Sequence, residues 1–226
     1  TVCGTKPLPC VTGQDADIIA ALNWVFKLYW QAGAGNIAAV NLSLGSGAYS
    51  GYCDNYSAVS GYKPAIDQLR SVGIATIAAS GNGVNDIGYP NDIAAPACIS
   101  SAISVGATDN SDNVASFSNS YPYLDFLAPG VNVVSSVPNQ YQPSGYGTDS
   151  GTSMSTPHVT GAWADLRERF PTATVDSIFA ALRSTGHPVL DSRTQRQVPR
   201  IQVDNALSSL NPGGNASDLS GAVYQS

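Results

Sequence analysis

The stretch GIATIAAS, residues 73–80, sets how the rest of the chain is read. It is an apolar run with little alternation, opening on Gly73 and closing on the polar turn SGNG (80–83). That pattern suits a strand covered on both faces, as in a parallel sheet. Upstream, Pro64 stands near the start of a helical pattern through Ile66 and Leu69 that Gly73 ends. Before it, IAAVNLSLG (37–45) repeats the buried-strand pattern. Earlier still, Ile18, Leu22, Val25, Phe26 and Tyr29 recur at helical spacing, with Asp15 or Asp17 as the cap and Gly33 and Gly35 as the stop.

Downstream come two more apolar runs, ISSAISVGA (99–107) and one around LDFLAPG (124–130). A long helix then begins near Ser153 and ends before Pro171, carrying Val159, Ala162, Trp163, Leu166 and Phe170 inward. VDSIFAALRSTG (175–186) reads as a further helix with Gly186 as terminator. Strands alternating with helices predict an α/β domain, a mostly parallel sheet flanked by helices. Functional groups of such sheets gather at the C-terminal ends of the strands. SLGSG (43–47) and SGNG (80–83) fall there.

Composition narrows the function classes. Of the 226 residues, 43% are apolar and 12% charged, which is ample for a core and too few charges for a disordered acidic chain. The formal charge of −6 argues against nucleic acid and anionic membranes as partners. The densest basic stretch, Arg193, Arg196 and Arg200, is spread over polar, loop-like sequence and reads as a solvated face. No run of about 18 apolar residues occurs, and the opening TVCGTK lacks a signal-peptide pattern, which suggests a processed or truncated start. The four cysteines, Cys3, Cys10, Cys53 and Cys98, form no CxxC pair and have two histidines for company, so zinc is poorly supported. Pairing Cys3 with Cys10 would close a short loop and leave Cys53–Cys98 as the long-range bridge, one of three pairings open. Two disulfides would imply an oxidising, extracytoplasmic home.

The candidate nucleophile is Ser153, in GTSMSTPHV (151–159), where a Gly-Thr pair turns the chain into a helix. The first amides of a helix favour negative charge developing beside them. Read alone, such a serine is most often an ordinary N-cap. The wider pattern says otherwise. GTSMSTPHVTGA resembles the serine motif of the subtilisin-like serine proteases, and three further segments follow the family's order. NLSLGSG (41–47) resembles the strand that binds the substrate backbone. IAASGN (77–82) resembles the turn ending in the oxyanion-hole amide, and ISVGATD, ASFSNS and LDFLAPG (103–130) match the run between that amide and the serine. The resemblance covers roughly residues 15–207.

It implies that Ser153 attacks a peptide carbonyl and that Asn82, with the Ser153 backbone N–H, donates to the tetrahedral oxyanion. Ser43, Leu44 and Gly45 would bind substrate as an added strand. Ala79, Ser80 and Gly81 would form the opposite wall of the main specificity pocket, whose floor aligns with AAP (94–96) in preference to GYP (88–90). An Ala there leaves room for a large apolar side chain. Two rival nucleophile patterns fail. Ser150 in TDSGT shares Asp-Ser-Gly with trypsin-like proteases, which continue with Gly where Thr152 stands, and residue 155 is Ser where a Gly-x-Ser-x-Gly elbow needs Gly.

A serine hydroxyl needs a base, normally a His held by a carboxylate. The family's Asp-Thr-Gly and His-Gly-Thr-His motifs do not occur in the chain. His158 lies five helical residues past Ser153 and points roughly 140° away from it. His187, in GHPV, reads as a loop residue. Asp149 and Asp86 complete nothing without a His. Residues 1–210 therefore resemble a partial subtilisin-like peptidase domain lacking its N-terminal part, followed by a polar tail at 211–226. The partner implied is a complementing N-terminal segment carrying the Asp and His, along with at least one sheet strand whose loss uncovers an edge. The substrate implied is a peptide or protein. The alternative is a non-catalytic peptide-binding remnant of the same fold.

The chemistry calls for no cofactor. Calcium often stabilises the family, and the oxygen-rich loops at Asp109–Asp112 and Asn85–Asp92 lack a ligand spacing that defines a site. Asn-x-Ser sequons occur at Asn41, Asn55 and Asn215, with Asn41 in a strand expected to be buried.

Overall fold

The run at 73–80 forms β3 (Ala75–Ala79), and every one of its residues is buried. The computed structural model describes residues 13–31, 37–83, 88–140 and 142–211. β3 lies second in a six-stranded sheet. The other strands are β1 (Ala39–Leu42), β5 (Ile103–Thr108), β6 (Phe126–Pro129), β10 (Arg196–Arg200) and β9 (His187–Asp191), in the order β1-β3-β5-β6-β10-β9. All pairs are parallel except β9 with β10.

Alternation along β3 divides the core. Ala78 faces a cluster with α1 (Asp15–Tyr29) and α2 (Tyr62–Ser71), which supply Leu22, Ile66 and Leu69. Ala75 and Ile77 face the other layer, formed by α3 (Thr152–Arg169), α4 (Val175–Thr185) and α5 (Val203–Leu210). There Trp163, Leu166, Val159, Ile178 and Leu182 pack on Ile103, Val105 and Phe126. The result is the helix–sheet–helix layering read from the sequence. Two small antiparallel pairs lie outside the main sheet: β2 (Ser46–Tyr49) with β4 (Ile93–Ala95), and β7 (Val133–Ser136) with β8 (Tyr146–Asp149). Cys53 and Cys98 are joined by a disulfide. Cys3, Cys10, Gly33 and Gly35 lie outside the described residues.

Several expectations need correction. The 37–45 run is covered on both faces, with Val40 packed on the α1–α2 cluster and Ala39 on the α3 cluster, but it is less buried than expected. Among the described residues β1 is the outermost strand of its sheet, only its Leu42 is buried, and Asn41 is exposed. Neither Asp15 nor Asp17 caps α1. Gln14 holds the cap position, Asp15 and Asp17 sit in the first turn, and the Asp15 carboxylate accepts from the Tyr62 hydroxyl (2.8 Å). Gly186 ends α4 with φ −63°, outside the left-handed region; it is glycine because a Cβ there would come 2.7 Å from Pro199 Cβ. The segment around Arg193, Arg196 and Arg200 is a β-hairpin, not a loop. Val189 and Val198 pair across it and are both buried, while the basic residues between them mask the alternation in sequence.

Candidate active site

The site is assembled where two strand ends meet one helix start. Ser43, Leu44 and Gly45 follow β1, Ser80, Gly81 and Asn82 follow β3, and Ser153 is the second residue of α3. Gly81 has φ +103°, a left-handed conformation that favours glycine and turns the chain out of the buried strand into the exposed Asn82. The Asn82 amide is oriented by its neighbour across the site. Its Oδ1 accepts from both the Thr152 N–H and the Thr152 hydroxyl, each at 2.9 Å. With Oδ1 so engaged, Nδ2 is the end left to donate, and it lies over Gly151, where a Cβ would approach to 3.1 Å.

The start of α3 supplies a second donor. Thr152 N–H is taken by Asn82, and Met154 N–H by Gly151 O (3.0 Å). Ser153 N–H belongs to the first helical turn, where amides have no intrahelical acceptor. Ser153 itself is half-buried. Its hydroxyl donates to the Ser43 carbonyl (3.1 Å), and the Ser43 hydroxyl donates back to the Ser153 carbonyl (2.7 Å). Asn41 joins this pair, donating from Nδ2 to Ser43 Oγ (2.9 Å) while its Oδ1 accepts from Thr160 Oγ1 (3.1 Å).

All eight residues singled out from the sequence border this one region, in two roles. Ser153, Asn82, Ser43, Gly45 and Gly81 line it, whereas Ala79 and Ser80 are buried behind it and Leu44, between Ser43 and Gly45, packs against the core. Ser80 Oγ is turned away to donate to Asn119 O (3.0 Å). Ala94 lies between the two walls: a Cβ on Gly45 would come 3.1 Å from Ala94 Cβ, and one on Gly81 3.0 Å from it. Neither histidine serves the serine. His158 Nδ1 is 2.8 Å from Met154 O on its own helix, and His187 stands in β9, 3.8 Å from an Asp112 carboxylate oxygen. The Ser150 hydroxyl accepts from Asn132 N–H (2.8 Å), a turn contact. Sequence reasoning missed Thr152, whose two bonds orient Asn82, because a pairing over 70 residues leaves no local signal.

The loop at Asp109–Asp112 does not fit a calcium ion. The Asp109 carboxylate accepts from Ser111 N–H, Asn113 N–H and Asn113 Nδ2, and Asp112 is paired with Arg200. Asn85 and Asp86 lie outside the described residues. Among the described residues no group of three or more His, Cys, Asp or Glu comes together.

A serine on the first turn of a helix, next to the threonine that orients a side-chain amide and near an open strand end, suits acyl transfer by a nucleophilic serine. Comparison with known proteins fixes the family. A model of the subtilase family matches residues 10–208. The extracellular serine proteinase of Thermus sp. (strain Rt41A) is 34% identical over 191 residues, covering 84% of this chain and 41% of that protein. Subtilisin Savinase of Lederbergia lenta is 38% identical over 161 residues, covering 71% of this chain and 50% of the relative. Among solved structures, a cold-adapted subtilisin-like serine proteinase superposes with a TM-score of 0.65 at 29% identity, over 84% of this chain and 63% of that one. The chain belongs to the subtilase family. It spans about half the length of these curated relatives.

Proposed function

We propose that this chain forms the C-terminal part of the catalytic domain of a secreted serine endopeptidase, with the catalytic Asp and His supplied by a segment N-terminal to it. The observation that carries the reading is the pair of bonds from Thr152 to Asn82 Oδ1, which turns the Nδ2 donor end over Gly151 at the start of α3. Ser153 Oγ attacks the carbonyl carbon of a peptide, and its proton passes to the supplied His. Asn82 Nδ2 and Ser153 N–H hold the oxyanion. On collapse the C–N bond breaks and the amine leaves with that proton, and water then hydrolyses the ester on Ser153.

Substrate backbone pairs with Ser43–Gly45 as an added strand. Its leading side chain enters between that strand and Ala79–Gly81, above Ala94, where the small residues on both walls suit a large apolar group. β1 is the outermost strand among the described residues, and an uncovered edge of this kind invites another strand. The complementing segment would dock there. The extracellular Thermus relative and the Cys53–Cys98 disulfide support secretion, and no helix among the described residues is long and apolar enough to cross a membrane.

One observation favours a second reading, a non-catalytic peptide-binding remnant. The Ser153 hydroxyl donates to a backbone carbonyl, and both histidines are engaged elsewhere. Co-expression of the chain with the coding sequence that precedes it, assayed on peptide amides, separates the two. Hydrolysis that Ser153→Ala abolishes is expected of the endopeptidase. Peptide binding without turnover would favour the remnant.

A further inference from the structure

The turn of the β9–β10 hairpin is remote in sequence from every residue of the site, yet it is bonded to it through two buried layers. Asp191 ends β9 and is 1% exposed. Its Oδ1 accepts from Arg193 N–H (3.0 Å) and Arg193 Nε (2.9 Å), and its Oδ2 from Arg193 Nη2 (2.9 Å). Burial pushes the Asp191 carboxyl upward, but hydrogen bonds from Arg193 outweigh it and hold the group below its ordinary value. The guanidinium, clamped on one edge, presents Nη1 to the carbonyls of Ser118 (2.8 Å) and Ser116 (3.3 Å).

Residues 116–119 in turn back the oxyanion turn. Asn119 N–H donates to Gly81 O (2.8 Å), Ser80 Oγ donates to Asn119 O (3.0 Å), and the Asn119 side chain accepts from Tyr89 N–H (2.9 Å). The fit leaves little slack, because a Cβ on Gly81 would come 2.6 Å from Asn119 Nδ2. Gly81 N–H then donates to Thr152 Oγ1 (3.2 Å), the same hydroxyl that holds Asn82 Oδ1. The path runs from Asp191 and Arg193 through Ser118 and Asn119 to Gly81 and Asn82.

We infer that Arg193 is a positioning residue for the oxyanion donor, fixing the 116–119 segment against which the Gly81–Asn82 turn is set. The inference rests on the reading of Asn82 as that donor. Arginine suits the task because its planar fork can take both carboxylate oxygens of Asp191 and still offer a third N–H in a fixed direction, which lysine cannot. A donor must lie about 2.7–3.1 Å from the oxyanion, so a small shift of the backing segment weakens catalysis while ground-state binding is largely kept.

A double-mutant cycle in the protein assembled with its N-terminal segment tests this. Arg193→Lys and Arg193→Met are each made in the native and the Asn82→Ala backgrounds. kcat and KM on a peptide amide are normalised to the folded fraction at the assay temperature. Arg193→Lys is expected to lower kcat about tenfold with KM nearly unchanged, and to have less than about a twofold effect once Asn82 is Ala. Should Arg193→Met fail to fold, the Lys variant alone decides. Equal losses in both backgrounds, or an unchanged kcat per folded molecule, overturn the inference alone. An unchanged kcat in Asn82→Ala itself overturns the oxyanion reading and this inference with it.

Discussion

At the scale of single residues, the decisive property of Asn82 is its orientation. An amide can present either end to a neighbour, and Thr152 settles the choice by offering two donors to Oδ1. Asn82→Ala in the assembled enzyme should lower kcat by about 10²–10³ with little change in KM. That magnitude is carried over from a subtilisin deprived of its corresponding amide. A matching rise in KM would instead mean that Asn82 serves ground-state binding. Ser153 and Asn82 were legible because each sits in a short contiguous motif. Thr152 as orienter, Asn119 as backing and Arg193 as clamp were not, because each acts through a partner 38 or more residues away or through a turn the sequence disguises as loop.

At the scale of elements, α3 both delivers the serine and anchors the layer beneath it. Trp163 is fully buried on this helix, packed in the cluster with Ile103 and Phe126. Trp163→Ala should cost about 3–5 kcal/mol by cavity formation. Trp163→Phe should cost clearly less, since among the described residues the indole Nε1 has no hydrogen-bond partner to lose. Denaturant unfolding of the two variants gives both numbers, and equal losses would show that the indole N–H matters after all. The helices α1 to α4 and the strands β3, β5 and β6 could be read from period and punctuation. β1 was read as fully buried because its apolar sequence does not reveal that it lies at an edge of the sheet. The β9–β10 hairpin was missed because Pro188 and Pro199, paired with each other, and the arginines around them look like loop composition.

At the scale of the whole molecule, two features govern stability. The Cys53–Cys98 bridge spans a sequence separation of 45 residues, and closing a loop of that length is worth about 4 kcal/mol through the unfolded state. Replacing both cysteines with Ala should remove most of that in unfolding experiments, and a loss under about 1 kcal/mol would contradict the assignment.

Asp125 works in the opposite sense. It accepts from Ser104 N–H and Oγ, each at 2.9 Å, with Arg183 3.6 Å away. Burial pushes its carboxyl up to about 6 despite those donors. The folded state thus holds this proton more tightly than the unfolded one, so ionising Asp125 removes stability as pH rises from about 4 to 6. Asp125→Asn lacks this slope. Its stability relative to the native protein should improve by up to about 3 kcal/mol between pH 4 and 7. Parallel stability profiles would refute the burial account.

As proposed above, Ser153 is a nucleophile whose base comes from outside this chain. Labelling with a fluorophosphonate, read by intact mass and by mapping the modified peptide, tests it most directly. The isolated chain should take up no label, and the protein with its N-terminal segment present should take up one, on the Ser153 peptide. Labelling of the isolated chain, or none in the assembled protein, would contradict it.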